Sequence, residues 1–162
     1  MKDRRVRKLV RTSVIAAAYA LLTFIWPFSI GPLQCRISEA LCVLPFCFAE
    51  AVPGLFVGCV LGNLLTPGAL PPDVIFGSLA TLLAAALTWV IGKKRLPPFL
   101  APLPPVLVNA VVVGLLLSKV YEYGLSFPVA MLQVAGGEAI SCYILGLPLL
   151  YAINKNRKLF EP

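Results

Sequence analysis

Apolar residues in this chain follow neither the alternation of a half-buried strand nor the single stripe of a surface helix. They run almost unbroken over stretches of membrane-spanning length, punctuated by short segments of Pro, Gly, Lys and Arg. Residues 12–28 ("TSVIAAAYALLTFIWPF") read as a first transmembrane helix, closed by Trp26 and Pro27 at interfacial depth. Residues 74–92 ("VIFGSLATLLAAALTWVIG") read as another, ending at Trp89 and the basic "KKR".

The intervening stretch 37–66 fits one long tilted helix or two short ones, and the basic clusters decide between them. Six Lys and Arg residues fall in residues 2–11, three at Lys93, Lys94 and Arg95, and three at Lys155, Arg157 and Lys158. Clusters at the ends of apolar runs mark cytoplasmic segments. An even number of crossings must therefore separate each pair. The break falls at "EAVPG", giving short helices at 37–49 and 53–66. The first is below the usual spanning length, so it requires shielding by its neighbours.

Beyond "RLPPFLAPLPP", a proline-rich turn, residues 104–120 and 128–152 complete the count. The expected fold is an all-α integral membrane protein of one domain over residues 1–162. It is a six-transmembrane-helix bundle with residues 1–11 as a cytoplasmic basic segment and both termini cytoplasmic. No small-residue cleavage site closes a short apolar core after the basic start, so that segment is expected to stay in the mature protein.

Composition sharpens the class. The 162 residues are 59% hydrophobic and 13% charged with a mean hydropathy of +0.90, against about 25% charged in an ordinary soluble domain. The net charge of +7 is confined largely to the clusters, so it reports orientation and not a nucleic-acid partner. The five cysteines, 35, 42, 47, 59 and 142, match no zinc or disulfide spacing and read as small buried hydrophobes.

Against that background the polar residues inside spans stand out, because each is costly in lipid and needs a partner or a cavity. Depth along the six helices puts Arg36, Ser38, Glu39, Asn63 and Asp73 near the outer ends of their helices, Gln133 in the outer third of the sixth, and Asn109 and Glu138 at the middle of the fifth and sixth, so that most of these polar groups converge on the outer half of the bundle. The substrate-binding candidates are Glu138, Asn109, Asn63, Gln133, Glu39, Arg36 and Gln34. Glu138 follows Gly136 and Gly137, where bare backbone would let a flat ligand approach. Two structural alternatives stand beside this. Glu138 and Asn109 bond to each other and fix register, or Arg36 and Glu39, three apart, pair on one helix face.

Small residues also recur at helical spacing, as Ala16-xxx-Ala20 and as Gly54-xxx-Gly58-xxx-Gly62, and such faces let helices approach closely. The chain has no histidine and no G-x-x-x-x-G-K-[ST] loop, and no Ser or Cys has a recognisable activating base. It reads as a membrane binding or transport protein and not an enzyme, with no cofactor or metal of its own.

The segments "CRISEALCVLPFCFAEAVPGLFVGCVLGNLL", "DVIFGSLATLLAAALT" and "APLPPVLVNAVVVG" resemble the QueT family, queuosine-precursor S components of energy-coupling-factor transporters, and the likeness runs over about residues 12–150. The resemblance implies a subunit of the prokaryotic cytoplasmic membrane that captures queuine or a related 7-deazaguanine from outside. Its implied partners are a transmembrane coupling subunit and two ATPase subunits, which use the ATP. It also implies docking of the coupling subunit at Ala16 and Ala20. Such a base offers ring and amine N–H donors beside a carbonyl acceptor, which suits one carboxylate and one or two amides. An S component for another small nutrient, a self-sufficient proton-coupled carrier and a structural membrane protein are the alternatives.

Overall fold

The structure is a computed structural model that describes residues 2–25, 35–121 and 123–156. Its described residues are all helical or loop. The helices are α1 (Lys2–Ile25), a 3₁₀ rod (Ile37–Phe46), α2 (Ala51–Leu65), α3 (Asp73–Lys93), α4 (Leu103–Lys119) and α5 (Phe127–Lys155). Four helical stretches, Arg5–Ile25, Asp73–Lys93, Pro98–Lys119 and Phe127–Lys155, are long and apolar enough to cross a membrane. The 3₁₀ rod and α2 are apolar but shorter.

Successive rods alternate in direction. At one end Lys8 pairs with Glu50 at 3.7 Å, Thr12 Oγ1 donates to the Glu50 carbonyl at 3.1 Å, and Cys47 Sγ donates to Asn154 Oδ1 at 3.2 Å. This end also carries Lys93, Lys94, Arg95 and Lys155. At the other end Asn63 Nδ2 donates to the Asp73 carbonyl at 3.0 Å and Tyr121 donates to the Asp73 carboxylate. The basic residues and the polar residues therefore occupy opposite ends.

The basic segment expected to precede the first helix belongs to it, since α1 is helical from Lys2. Lys and Arg are good helix formers, and their charge marks where lipid ends without interrupting the hydrogen-bond ladder. The expected close of that helix, including Trp26 and Pro27, lies outside the described residues, as do Gln34, Arg157 and Lys158.

Residues 37–49 were expected as a short α-helix, and the structure winds Ile37–Phe46 as a 3₁₀ helix instead, with Pro45 inside it and Arg36 extended at its start (φ −100°, ψ 118°). Ten residues is long for this geometry, whose hydrogen bonds are poorer than those of an α-helix. Its neighbours hold it: Ser38, Glu39, Ala40, Cys42, Val43, Leu44 and Pro45 are all buried, against α1, α3 and α5. It is the central post of the bundle.

The glycine series on α2 faces α1. A Cβ on Gly58 would lie 2.8 Å from the Ala16 carbonyl oxygen and 2.8 Å from Tyr19 Cβ, so only glycine permits this approach. Apolar stripes such as Leu79, Leu83 and Leu87 on α3 and Leu107, Val111 and Leu115 on α4 point outward, as surfaces in contact with lipid do.

Two helices depart from α geometry beside the polar end. Residues Asp73–Gly77 at the start of α3 and Ile140–Gly146 within α5 are π-helical. Pro148 follows the second segment. It lacks an N–H and its ring crowds the carbonyl four residues back, a strain that a wider turn relieves.

Candidate functional site

Every rod except α1 supplies a wall of one small cavity. Arg36 and Glu39 come from the start of the 3₁₀ rod, Asn63 from the last turn of α2, and Asp73, Gly77 and Thr81 from α3. Asn109 and Val113 come from α4, and Glu138 from α5. Of the sequence candidates, Arg36, Glu39, Asn63, Asn109 and Glu138 meet here. Gln133 does not line the cavity, and Gln34 lies outside the described residues.

Each charged group has a neutral partner. Asn109 Nδ2 donates to Glu138 Oε1 at 2.9 Å, and Cys142 Sγ approaches Glu138 Oε2 at 3.8 Å. Tyr19, reaching in from α1, donates to Glu39 Oε1, while Cys42 Sγ donates to Glu39 Oε2 at 2.9 Å. Arg36 Nη1 donates to Asn63 Oδ1 at 3.1 Å. Asp73 Oδ2 accepts from the Leu70 N–H at 2.9 Å and from the Tyr121 hydroxyl.

These bonds correct two expectations. Arg36 and Glu39 take different partners, because Arg36 is extended at the N-cap and does not share the face that a spacing of three gives within a helix. Cys42 and Cys142 are buried as expected, yet they also act as thiol donors to carboxylates. The bond between Asn109 and Glu138 does form, and both residues still line the cavity. Asn109 keeps one function unused: its Oδ1 is buried with no hydrogen-bond partner, in a side chain only 3% exposed. Such an orphan is costly where no donor reaches it.

The glycine that bares backbone to the cavity is Gly77, not Gly136, which faces outward with open space beside it. Ala16 and Ala20, expected on a docking face, are 6% and 7% exposed. Gly58 packs against Ala16, so the surface that α1 offers outward is formed by Val14, Ala17 and Leu21.

The cavity is about 10 Å³, room for roughly one water molecule. A larger open cleft of about 360 Å³, lined by Asn63, Leu64, Ala69, Pro71, Val74 and Ile75, shares Asn63 with it. The segment after α4 closes on the cavity wall through Tyr121, whose ring stacks on Tyr123 with centroids 5.3 Å apart. Burial, and then the hydrogen bond to Asp73 and that residue's charge, push the Tyr121 phenol above its ordinary range. It therefore stays protonated and donating near neutrality.

Sequence reasoning placed Asp73 at the opening of a span without assigning it to the site, and it gave no role to Gly77, Thr81, Tyr19 or Tyr121. A carboxylate at the mouth of an apolar helix was the available signal for Asp73. The others carry no sequence signal, because their part depends on which rods meet.

A family model described as "QueT transporter" matches residues 9–155 of the chain. A curated relative named "Queuosine precursor transporter QueT", from Lactococcus lactis subsp. cremoris (strain MG1363), is 32% identical over 90 residues, 54% of this chain and 52% of that protein. The match thus spans about half the length of that relative. No solved structure matches the chain.

Proposed function

From the premise that the chain belongs to the QueT transporter family, we propose that it captures a queuosine precursor, a 7-deazaguanine, in the polar chamber. On this reading it delivers the base inward as the S component of an energy-coupling-factor importer. The observation that carries the proposal is the Asn109–Glu138 pair, with a buried unpartnered Asn109 Oδ1 on the chamber wall. A guanine-like edge supplies adjacent N–H donors for Glu138 and Asn109 Oδ1. Its carbonyl accepts from Arg36 or an Asn amide. A site of buried acceptors rejects ligands that leave them unpaired.

The positive-inside bias supports the orientation. Lys8, Lys93, Lys94, Arg95 and Lys155 lie at the end opposite the chamber, so the chamber faces outside and both termini face the cytoplasm. Six crossings follow if the 3₁₀ rod and α2 traverse together with their longer neighbours. The tight chamber supports a gated entry: Tyr121 must release Asp73, and the walls must part, before a bicyclic base enters. With no phosphate-binding loop in the chain, ATP is used by partner ATPases through a coupling subunit. That subunit meets α1 along its exposed side at Val14, Ala17 and Leu21.

Calorimetry with purified chain and a 7-deazaguanine tests the proposal. Saturable binding at micromolar or tighter affinity is expected, and no binding of any 7-deazaguanine overturns it. A second reading, a proton-coupled carrier, is favoured by the buried carboxylates Glu39, Asp73 and Glu138. Uptake driven by a pH gradient in vesicles holding this chain alone would select it over the importer subunit.

A further inference from the structure

A space at the basic end takes no part in the transport reading. There an open apolar groove of about 250 Å³ runs between α1, the end of the 3₁₀ rod and the end of α5. Val10, Val14 and Ile15 of α1 form one wall, and Leu44, Phe48 and Ile153 form the rest. The remaining wall residue is Arg11, whose guanidinium carbon lies 5.2 Å from the centre of the Phe48 ring. The groove exceeds the roughly 150 Å³ apolar cavity that takes up a benzene. Val10 and Val14 are more than half exposed along its side.

Charge is arranged along this groove with a direction. Val10, Arg11 and Val14 follow Arg7 at spacings of three, four and seven, which puts all four on one face of α1. At about 1.5 Å per residue, that face passes from two guanidiniums to apolar side chains over roughly 10 Å. Lys8 is engaged elsewhere, pairing with Glu50 at 3.7 Å. The aromatic contact of Arg11 attracts its charge without cancelling it. An occupant must therefore be apolar along most of its length and anionic at the end nearest the start of α1.

A lipid with an anionic headgroup has that form. A free anion leaves the apolar walls uncovered, and a zwitterionic lipid brings a cation of its own toward the two guanidiniums. Basic pockets between transmembrane helices hold anionic headgroups on the same grounds. We propose that this groove binds one anionic phospholipid, with an acyl chain against Val10, Val14, Leu44 and Ile153 and the phosphate at Arg7 and Arg11. The inference goes beyond the transport reading and does not depend on what the chamber binds. Val14 also belongs to the face of α1 offered to the coupling subunit, so a lipid seated here borders that contact.

Native mass spectrometry of the purified chain in neutral detergent tests this with three probes: dioleoyl phosphatidylglycerol, dioleoyl phosphatidylcholine and glycerol phosphate, a headgroup without chains. Phosphatidylglycerol should bind as a single saturable molecule, at least about tenfold more tightly than either of the others. Arg7→Gln and Arg11→Gln should each lower its affinity about fivefold. Arg5→Gln removes a cation of the same stretch from the opposite face of α1 and should leave the affinity unchanged. Val14→Trp fills the groove from an exposed position and should weaken both lipids while keeping their ratio.

Equal affinities for the two lipids overturn the inference. So does a loss in Arg5→Gln equal to that in Arg7→Gln, which means a diffuse basic field and no site. Glycerol phosphate binding as tightly as phosphatidylglycerol makes this a plain anion site and overturns the lipid. Lipid binding unchanged in Val14→Trp overturns it as well, and loss of assembly with a coupling subunit in that variant then assigns the groove to a protein. If a variant does not fold, the wild-type preference alone decides.

Discussion

The chamber and the seam between α1 and α2 are equally buried and built from opposite materials. In the seam, Gly54, Gly58 and Gly62 lie against Thr12, Ala16, Tyr19 and Thr23, and backbones come so close that a single Cβ has no room. In the chamber, six charged or amide side chains surround a space for roughly one water. Association in lipid gains nothing from hiding apolar surface, so close packing holds the first region together. The second is retained despite its cost, and that cost is the argument for function. Burial alone thus does not distinguish a joint from a site; the chemistry of what is buried does.

The sharpest way to break this comparison is to change one chamber carboxylate and one seam glycine. Glu138→Gln keeps size and a hydrogen-bonding role while removing charge and one acceptor. It should weaken deazaguanine binding by about 2–3 kcal/mol, on the order of a hundredfold in Kd by calorimetry. Unchanged affinity would remove Glu138 from the site and leave its bond to Asn109 as a register device. Gly58→Ala places a methyl 2.8 Å from a backbone oxygen that cannot yield cheaply. It should lower thermal stability by about 2 kcal/mol, while the protein that stays folded keeps its ligand affinity. A loss of affinity equal to that of Glu138→Gln would mean that seam and site are one unit.

Tyr121→Phe acts where the chamber meets its cover. It removes the bond to Asp73 and should cost about 1 kcal/mol, read as ligand dissociation several-fold faster in stopped flow. The pH dependence has a definite sign. The folded phenol titrates above its unfolded value of about 10, so the latch is fully present below that value and lost only as pH rises through the raised one. Wild-type dissociation through this latch should therefore be flat between about pH 6 and 9. A rate that climbs across that window assigns the gating to another group.

How much of this was legible in sequence follows the same division. The Gly54-xxx-Gly58-xxx-Gly62 spacing announced a close helix contact, because three residues on one face need no knowledge of the partner. Glu138, Asn109, Asn63, Arg36 and Glu39 announced themselves as polar groups inside apolar runs, and alternating rods bring them together. The start of α1 at Lys2 was not legible, since charge reports the edge of the apolar layer and not the end of a helix. Nor was the 3₁₀ winding of Ile37–Phe46, which depends on seven neighbour-buried positions as well as on Pro45. Ala16 and Ala20 carry the same kind of signal, and within this chain they are buried, Ala16 against Gly58. Their spacing was right for a close contact, but a small-residue face does not say whether its partner is another protein or the next helix in the same chain.

The smallest effect should come from the basic end, where Lys8 and Glu50 pair at 3.7 Å with the lysine side chain 60% exposed. An exposed pair of this kind is screened by salt and must order a long flexible side chain. Lys8→Ala should therefore change stability by no more than about 0.5 kcal/mol, and added salt should erase the difference. A second contact holds this junction without the lysine: the Thr12 hydroxyl donates to the Glu50 carbonyl at 3.1 Å. A loss in Lys8→Ala approaching that of Gly58→Ala would mean that the charges of this end fasten α1 to α2. Stability would then no longer reside in the seam, and the contrast between a joint made of backbone and a site made of charge would have to be redrawn.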